Sequence, residues 1–283
     1  MREELYPTGG YILLLRSRGM DLERARDVAV RAARLGGSVI VDSTASAAVA
    51  KGLPGDWVTE VDLASERSVG ALLAEEAPGV PVLGEEGGGQ AAERYWLVDP
   101  LDGTTNFLRG LPVVGVSVAL VAEGRPVAGC VHAPYLDETF AAARGLGTLR
   151  WTGSNGAAAR PVRVSDRTPE RAVVATGFPF RRKESLPRYL SMLEDALELF
   201  EDLRRAGAAS LDMAWSATGV FDGFFELGLG PWDVAAGGLL IEEAGGRVTD
   251  WSGGPDYLSG DVLAGPPEIH EALLQLATGH PRS

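Results

Sequence analysis

The hydrophobic period changes near residue 80, and this change limits the folds that the chain can adopt. Upstream, apolar residues at helical spacing predict a long helix or helix pair over 21–50, weakened at Gly36 and Gly37, and a second helix over 63–76. Downstream, short runs rich in Val and Leu are separated by turn residues, which predicts a meander of strands. The predicted strands of this meander are 80–84, 95–98, 113–121, 126–132 and 139–143.

The rest of the chain alternates between the two periods. Its predicted strands are 172–175, 221–227 and 262–264, and its predicted helices are 187–200, 210–217, 234–244 and 267–277. Helices before an antiparallel meander, with alternating elements after it, predict an α+β half followed by an α/β half. The boundary is expected in the stretch 153–159, which is rich in Gly and Ala.

Composition and charge exclude several classes of protein. Hydrophobic residues make up 45% of the chain, enough for a sizeable core, yet no segment has the roughly 18 uninterrupted apolar residues of a membrane span. The apolar run 11–15 is too short for a signal peptide, so we expect a cytoplasmic protein with no membrane partner. The net charge of −13 argues against direct nucleic-acid binding. The single cysteine, Cys130, excludes an intramolecular disulfide and a thiolate metal cage.

An acidic segment follows the apolar strand 95–98. On a straight strand, Asp99 and Asp102 would point to opposite faces and could not share a ligand. Pro100 favours a tight turn after Asp99, which could fold Asp102 back and expose the carbonyl of Leu101. Such a cluster of hard oxygen ligands suits Mg²⁺ and not Zn²⁺.

The residues directly after this segment favour an anion site. Gly103 and Thr104 open a helix or a nest, whose free backbone N–H groups can bind a phosphate. A carboxylate-held metal beside an anion site is the arrangement of phosphoryl transfer. The alternative is an ordinary strand, turn and helix N-cap, which the same residues also form well.

Three further acidic segments lie at the ends of predicted elements. Glu85 and Glu86 follow a strand, Asp233 precedes the helix 234–244, and Asp62 precedes the helix 63–76. Each has a structural alternative: a solvated acidic turn for the first pair and an N-cap for each aspartate. Together with Asp99 they place four acidic sets where functional sites are usually built.

The order of these segments resembles that of the inositol monophosphatase family, within the lithium-sensitive, magnesium-dependent phosphatases. The resemblance covers about residues 21–278. It is carried by Asp62, by Gly84-Glu85-Glu86, by the run from Trp96 to Phe107 (WLVDPLDGTTNF), by Trp232-Asp233-Val234-Ala235-Ala236-Gly237 and by Glu243-Ala244-Gly245-Gly246. Secondary matches lie in 134–140 and 175–180.

The resemblance implies a layered αβαβα sugar-phosphatase fold, like that of fructose-1,6-bisphosphatase, and a homodimer. It divides the chain into an N-terminal extension (1–20), an α+β metal-binding half (21–156) and an α/β half (157–283) that completes the metal and substrate site. It also implies two to three Mg²⁺ ions. The ligands of the first would be Glu85, Asp99 and the Leu101 carbonyl, those of the second Asp99, Asp102 and Asp233, and Glu85 would help to place a third.

The remaining implied roles concern catalysis and substrate. Thr104, oriented by Asp62, would help to activate the attacking water, Lys51 matches a family lysine near the site, and Glu85 completes the catalytic set. Water would attack the phosphorus directly, without a phosphoenzyme. The implied substrate contacts are Leu101, Asp102, Gly103, Thr104, Arg205, Gly207, Ala208, Ala209, Glu226 and Asp233.

The substrate that the resemblance implies is a small polyol or sugar phosphate, with inositol 1-phosphate as the first expectation. Histidinol phosphate and fructose 1,6-bisphosphate are the alternatives. The ending Thr105-Asn106-Phe107 resembles inositol monophosphatases and histidinol phosphatases and departs from the nucleotide-phosphate branch. The glycines after Glu86 and the stretch 146–150 also depart from the usual pattern. A second alternative is a non-catalytic regulatory protein that binds a transcription complex.

Overall fold

Helices and strands cover most of the described chain, which comprises residues 21–43, 48–51, 57–153, 158–180 and 182–279 of a computed structural model. The predicted extension 1–20 lies outside these residues. The helices are α1 (Leu22–Val41), α2 (Glu60–Glu76), α3 (Thr104–Arg109), α4 (Leu186–Leu199), α5 (Ala209–Ala217), α6 (Pro231–Glu243) and α7 (Pro267–Thr278). The strands are β1 (Val49–Ala50), β2 (Trp57–Val58), β3 (Val82–Gly84), β4 (Arg94–Asp102), β5 (Gly115–Ala122), β6 (Arg125–Ala133), β7 (Glu138–Ala143), β8 (Thr148–Thr152), β9 (Arg160–Val162), β10 (Val173–Thr176), β11 (Asp202–Arg204), β12 (Gly223–Glu226), β13 (Arg247–Thr249) and β14 (Val262–Gly265).

The strands form two main sheets. The first contains seven strands in chain order from β3 to β9, with β3 parallel to β4 and every later pair antiparallel. The second has the order β11-β10-β12-β14-β13, in which β10 is parallel to both of its neighbours and β14 antiparallel to both of its own. A further pair, β1 and β2, forms a two-stranded ribbon. The predicted meander is therefore confirmed from β4 to β7, whereas its first predicted strand, β3, pairs in parallel with β4.

Three apolar cores join these elements into five layers. The first core lies between one face of the seven-stranded sheet and the helices α1 and α2. The second lies between the two sheets and is filled by α5 and α6, with Leu211 and Leu239 fully buried there. The third lies beyond the five-stranded sheet, beneath α4 and α7. The order is helix, sheet, helix, sheet, helix, which confirms the expected αβαβα architecture.

Helix α1 differs from its prediction. It begins after Asp21, whose side chain accepts a hydrogen bond from the Glu23 N–H at 3.3 Å, and it continues through Gly36 and Gly37 to Val41. Both glycines are buried. A Cβ at Gly36 would lie 2.8 Å from Ser65 Oγ, and one at Gly37 would lie 3.2 Å from Pro134 Cβ and still closer to the His132 ring. The two glycines therefore permit close packing on α2 and the sheet instead of weakening the helix.

We expect Gly37→Ala to destabilise the protein by about 1–3 kcal/mol, because the added methyl group would overlap the buried His132 ring. Urea unfolding of the two proteins measures this change. Gly70→Ala in α2 is the control, since a Cβ there meets nothing within 4 Å and alanine favours a helix. Unchanged stability of the Gly37 variant would contradict the close packing described here.

Candidate active site

A β-bulge in β4 brings two of the predicted ligands to one side of the sheet. Asp99 pairs with Ser117 and Asp102 pairs with Gly115, so Pro100 and Leu101 lie opposite the single residue between those partners. The additional residue shifts the alternation of side chains, so that Asp99 and Asp102 face the same cavity. The tight turn predicted after Asp99 is therefore wrong, because the strand continues through Pro100 to Asp102 and the bulge has the effect expected of the turn.

Three carboxylates converge beside this bulge. Glu85 follows the end of β3, Asp99 lies in β4, and Asp233 lies in the first turn of α6. Each can supply one oxygen to a group in which all three oxygens lie within 4.8 Å of one another. Asp99 and Asp233 are buried, and their carboxyl groups are hydrogen-bonded to each other.

The two aspartates predicted as possible N-caps each lie three residues inside a helix. Helix α2 begins at Glu60 with Thr59 as its N-cap, and α6 begins at Pro231 with Gly230 as its N-cap. Asp62 Oδ2 accepts from the Thr59 N–H at 2.9 Å, and Asp233 Oδ2 accepts from the Gly230 N–H at 2.7 Å. Each carboxylate thus accepts, with one oxygen, a hydrogen bond from the N-cap residue of its own helix. The alternative that the two aspartates are themselves N-caps is therefore wrong.

The hydroxyl of Thr104 lies between two acceptors. Its Oγ1 lies 3.2 Å from Asp62 Oδ1 and 3.1 Å from the Leu101 carbonyl oxygen. Thr104 is the first residue of α3, and the Gly103 before it has φ of +88°. A Cβ at Gly103 would lie 2.9 Å from the Val113 carbonyl oxygen, so this conformation and this close approach both require glycine. The bulge, α2 and α3 together fix this hydroxyl.

Asp102 contacts a different helix from the other acidic residues. Its Oδ2 accepts from the Ser210 N–H at 2.7 Å and from the Ser210 hydroxyl at 2.6 Å, at the start of α5. The carboxylate therefore caps a helix N-terminus, where a negative charge is favoured. Asp102 is not part of the three-carboxylate group among the described residues, although it lines the same cavity.

Lys51 reaches the same acidic turn from the ribbon of β1 and β2. Its Nζ donates to Glu85 Oε1 at 2.9 Å and also to Glu86 Oε1. Burial alone would lower the pKa of Lys51, but the two carboxylates outweigh it and raise that pKa. Burial raises the pKa of Glu86 to about 7, against the opposing hydrogen bond from Lys51.

The carboxyl groups at the bulge carry raised pKa values. Burial and then the neighbouring carboxylate of Glu85 raise the pKa of Asp99 well above its ordinary value and that of Asp233 to about 7. Burial raises the pKa of Asp102 to about 6, although the hydrogen bonds from Ser210 oppose it. Acidic oxygens that converge in one cavity match the donor set that Mg²⁺ prefers. The residues therefore fit the predicted metal.

These raised pKa values determine how stability depends on pH when no Mg²⁺ is present. A carboxyl with a raised folded pKa stabilises the protein fully below its unfolded pKa, near 3.8, and this contribution is lost as the pH rises through the folded value, about 7 for Asp233. In EDTA we therefore expect the melting temperature to fall as the pH rises across that window. Mg²⁺ should raise the melting temperature more at about pH 8 than at about pH 5, because at the higher pH protons no longer compete with Mg²⁺ for the carboxylates. Equal effects of Mg²⁺ at the two pH values would contradict this expectation.

A cavity of about 440 Å³ opens over the carboxylates. Two of the predicted catalytic residues do not line the cavity. Asp62 contacts it through Thr104, and Lys51 contacts it through Glu85. Every predicted substrate-binding residue lines it. These residues are Leu101, Asp102, Gly103, Thr104, Arg205, Gly207, Ala208, Ala209, Glu226 and Asp233.

The cavity also contains residues that the sequence analysis did not identify. Asp212 in α5 is 1% exposed, and its Oδ1 has no hydrogen-bond partner among the described residues. An acidic residue within the apolar segment 209–217 was the signal that could have identified it. Phe178 and Phe180 flank Arg205, with ring centroids 5.7 Å and 5.8 Å from its Cζ. These two rings are 38% and 54% exposed at the cavity mouth.

Comparison with known proteins agrees with this geometry. A model of the inositol monophosphatase family matches residues 21–282. Nus factor SuhB of Pseudomonas aeruginosa is 41% identical over 266 residues, covering 90% of this chain and 96% of that protein. Nus factor SuhB of Escherichia coli K12 is 40% identical over 257 residues, covering 88% and 93%.

Solved structures show the same relationship. The extragenic suppressor protein suhB from Bartonella henselae superposes with a TM-score of 0.81 at 37% identity, covering 89% of this chain and 97% of that one. The inositol monophosphatase from Anabaena (Nostoc) sp. PCC 7120 superposes with a TM-score of 0.81 at 35% identity, covering 93% and 98%. Since the fold, the acidic site and these matches agree along almost the whole described chain, the chain belongs to the inositol monophosphatase family.

Proposed function

We propose that the protein is a Mg²⁺-dependent phosphatase that hydrolyses a small polyol or sugar phosphate monoester, with inositol 1-phosphate as the first candidate. The observation that carries this proposal is the convergence of Glu85, Asp99 and Asp233 in one cavity with the Thr104 hydroxyl. A binding protein would not need a hydroxyl held against a buried carboxylate beside that group.

Two to three Mg²⁺ ions would be held by the acidic residues. The first would bind Glu85, Asp99 and the Leu101 carbonyl, the second would bind Asp99 and Asp233 together with Asp102, and Glu85 would help to hold a third. When bound, Mg²⁺ would neutralise the charge of the phosphate and lower the pKa of a water molecule bound to it. Because Ser210 occupies one oxygen of Asp102, only its other oxygen is available.

The residues around Thr104 would handle the proton of the attacking water. As water adds to phosphorus, its proton passes to Thr104 Oγ1, while the proton of the hydroxyl passes to Asp62 Oδ1, 3.2 Å away. The ester P–O bond breaks on the opposite side, and the leaving alcohol oxygen takes a proton from a second water. Burial raises the pKa of Asp62 although the hydrogen bonds from Thr59 oppose it, and this makes the carboxylate a better proton acceptor. The N–H groups of Gly103 and Thr104 would bind phosphate oxygens.

The far side of the cavity would bind the alcohol part of the substrate. Arg205 and Glu226 line it together with the backbone of 207–209, and both polar side chains can hydrogen bond to hydroxyl groups. Asp212 lines the same cavity, where burial raises its pKa well above the ordinary value and the charge of Glu226 raises it further. We propose that a hydroxyl-rich alcohol suits this wall.

Release of phosphate from inositol 1-phosphate with Mg²⁺, with EDTA, and with Mg²⁺ plus Li⁺ tests the proposed function. We expect hydrolysis that requires Mg²⁺ and decreases with Li⁺. Histidinol phosphate and fructose 1,6-bisphosphate, assayed in parallel, distinguish the alternative substrates. A folded protein that releases phosphate from none of the three would contradict the proposal.

A second candidate is a regulatory protein that binds a transcription complex without catalysis. The observation that favours it is that relatives at about 40% identity are named Nus factors. An Asp99→Ala variant that retains the cellular role of the protein would support this candidate. We also propose a homodimer, which analytical ultracentrifugation of the purified protein tests.

A further inference from the structure

Glu66 in α2 holds the turn that carries Glu85. Its Oε2 accepts from the Glu86 N–H at 2.9 Å and its Oε1 accepts from the Gly87 N–H at 2.6 Å. One carboxylate thus accepts hydrogen bonds from two successive backbone N–H groups of the turn 85–87. The helix that carries it, α2, lies earlier in the chain. Glu66 itself does not line the cavity, and none of the expected site roles includes it.

The glycines of this turn leave space for the Glu66 carboxylate. A Cβ at Gly84 would lie less than 3.0 Å from both oxygens of Glu66, and one at Gly87 would lie less than 3.0 Å from Oε1. Real Cβ atoms do not approach so closely, so larger residues at either position would displace the carboxylate. Gly87, the first of the glycines after Glu86 that depart from the usual family pattern, thereby has a structural reason.

Among the described residues, two backbone hydrogen bonds and one lysine also hold this turn. The Glu85 N–H donates to the Val98 carbonyl at 3.1 Å, and the Gly84 N–H donates to the Gly88 carbonyl at 3.0 Å. On its outer side, Lys51 binds the carboxylates of Glu85 and Glu86. The two bonds from Glu66 are therefore the side-chain contacts that fix the backbone directly after Glu85.

Helix α2 touches the site at three successive points. Asp62 contacts Thr104, the Ser65 hydroxyl donates to the Pro100 carbonyl in the bulge at 2.9 Å, and Glu66 binds the turn after Glu85. One rigid helix therefore sets the distance between the bulge and the turn. Asp99, beside the bulge, and Glu85, in the turn, both belong to the group of three carboxylates.

We propose that Glu66 is a positioning residue for metal binding: it fixes the turn so that the Glu85 carboxylate meets those of Asp99 and Asp233. This inference rests on the proposed Mg²⁺ site. Groups that orient metal ligands from behind typically change metal affinity by about 10–100-fold when they are removed. The effect should appear in Mg²⁺ binding and not in the affinity for the phosphate ester at saturating Mg²⁺.

Glu66→Gln tests the proposal, because glutamine keeps one acceptor and turns an NH₂ group toward the other backbone N–H. We expect the Mg²⁺ concentration for half-maximal thermal stabilisation to rise about 10-fold. The KM for inositol 1-phosphate at saturating Mg²⁺ should stay within about twofold, because the bonds of Glu66 do not touch the alcohol wall. Hydrogen exchange at 85–87 in EDTA should become faster. Glu75→Gln, on the exposed face of the same helix, is the control and should behave as wild type.

Gly87→Ala tests whether the position of the Glu66 carboxylate matters apart from its charge. The added methyl group displaces the carboxylate but leaves its charge unchanged. We expect the same weaker Mg²⁺ binding and the same faster exchange as in Glu66→Gln. Wild-type Mg²⁺ affinity in both variants, with or without faster exchange, would overturn the role of Glu66 while leaving the proposed function in place. A wild-type protein that Mg²⁺ does not stabilise would overturn both proposals.

Discussion

Asp99→Asn should reduce kcat/KM by about 10³-fold or more, the largest loss that we expect from a single substitution at the site. Asp99 is the carboxylate that both of the first two Mg²⁺ ions would share, and each tenfold loss corresponds to about 1.4 kcal/mol of transition-state stabilisation. Its neighbours Glu85 and Asp233 cannot replace it, because in the proposed scheme Glu85 would bind the first ion and Asp233 the second, whereas Asp99 would bind both. Phosphate release over a range of Mg²⁺ concentrations measures the loss.

The same substitution should stabilise the protein when no metal is present. Asp99 is buried against two other carboxyl groups, and burial together with their charges raises its pKa. Asparagine has nearly the same shape without the charge, so it removes this unfavourable burial. In EDTA at about pH 8, we expect a melting temperature several degrees above that of wild type and a much smaller increase on addition of Mg²⁺.

Asp166→Asn provides the matched control, because Asp166 is exposed and lies outside the cavity wall. It should change neither activity nor the response to Mg²⁺. If Asp99→Asn kept the wild-type increase in melting temperature with Mg²⁺, the assignment of Asp99 as a shared ligand would be wrong.

Thr104→Val should lower kcat by about 10²–10⁴-fold, the range typical of removing a general acid–base group. Valine retains the shape of threonine but has no hydroxyl to contact Asp62 and the Leu101 carbonyl. Because Thr104 is outside the three-carboxylate group, Mg²⁺ should still stabilise the variant as it does the wild type. Single-turnover phosphate release at saturating Mg²⁺ measures the chemical step.

Thr278→Val is the control for this change, since the Thr278 hydroxyl bonds only within the exposed end of α7. A Thr104→Val variant with wild-type kcat would show that the hydroxyl carries no proton. A variant that lost both activity and stabilisation by Mg²⁺ would instead show that Thr104 supports the metal site.

Period and composition predicted the main elements well, but two kinds of detail were not available from them. The strands β11 and β13 were not predicted because each has three residues with one apolar side chain, too few for a periodic signal. Strand β8 was also missed, although Leu149 and Trp151 alternate with polar residues in it. The starts of α2 and α6 were misplaced because Asp62 and Asp233 have the same residue type as an N-cap, although each lies in the first turn.

The three acidic residues that converge beside the bulge were all identified at the sequence level, but Asp212 and the connections between these residues were not. A proline after an aspartate signals a turn, and nothing local indicates that the strand will bulge at Pro100 and continue. Glu66 looks like any glutamate on a helix surface, and only the distant glycines after Glu86 reveal what it holds. Contacts between segments far apart in the chain leave no periodic signal.

The convergence of residues from one sheet and from a helix far along the chain has a consequence for the rates of folding and unfolding. Glu85 and Asp99 come from the seven-stranded sheet, while Asp233 lies in the first turn of α6, so the acidic group exists only after α6 has packed against that sheet. An ion that binds such a late-formed group leaves the folding rate unchanged and slows unfolding. Mg²⁺ would then bind after folding is complete and would have to dissociate before the chain unfolds, which lengthens the lifetime of the folded protein.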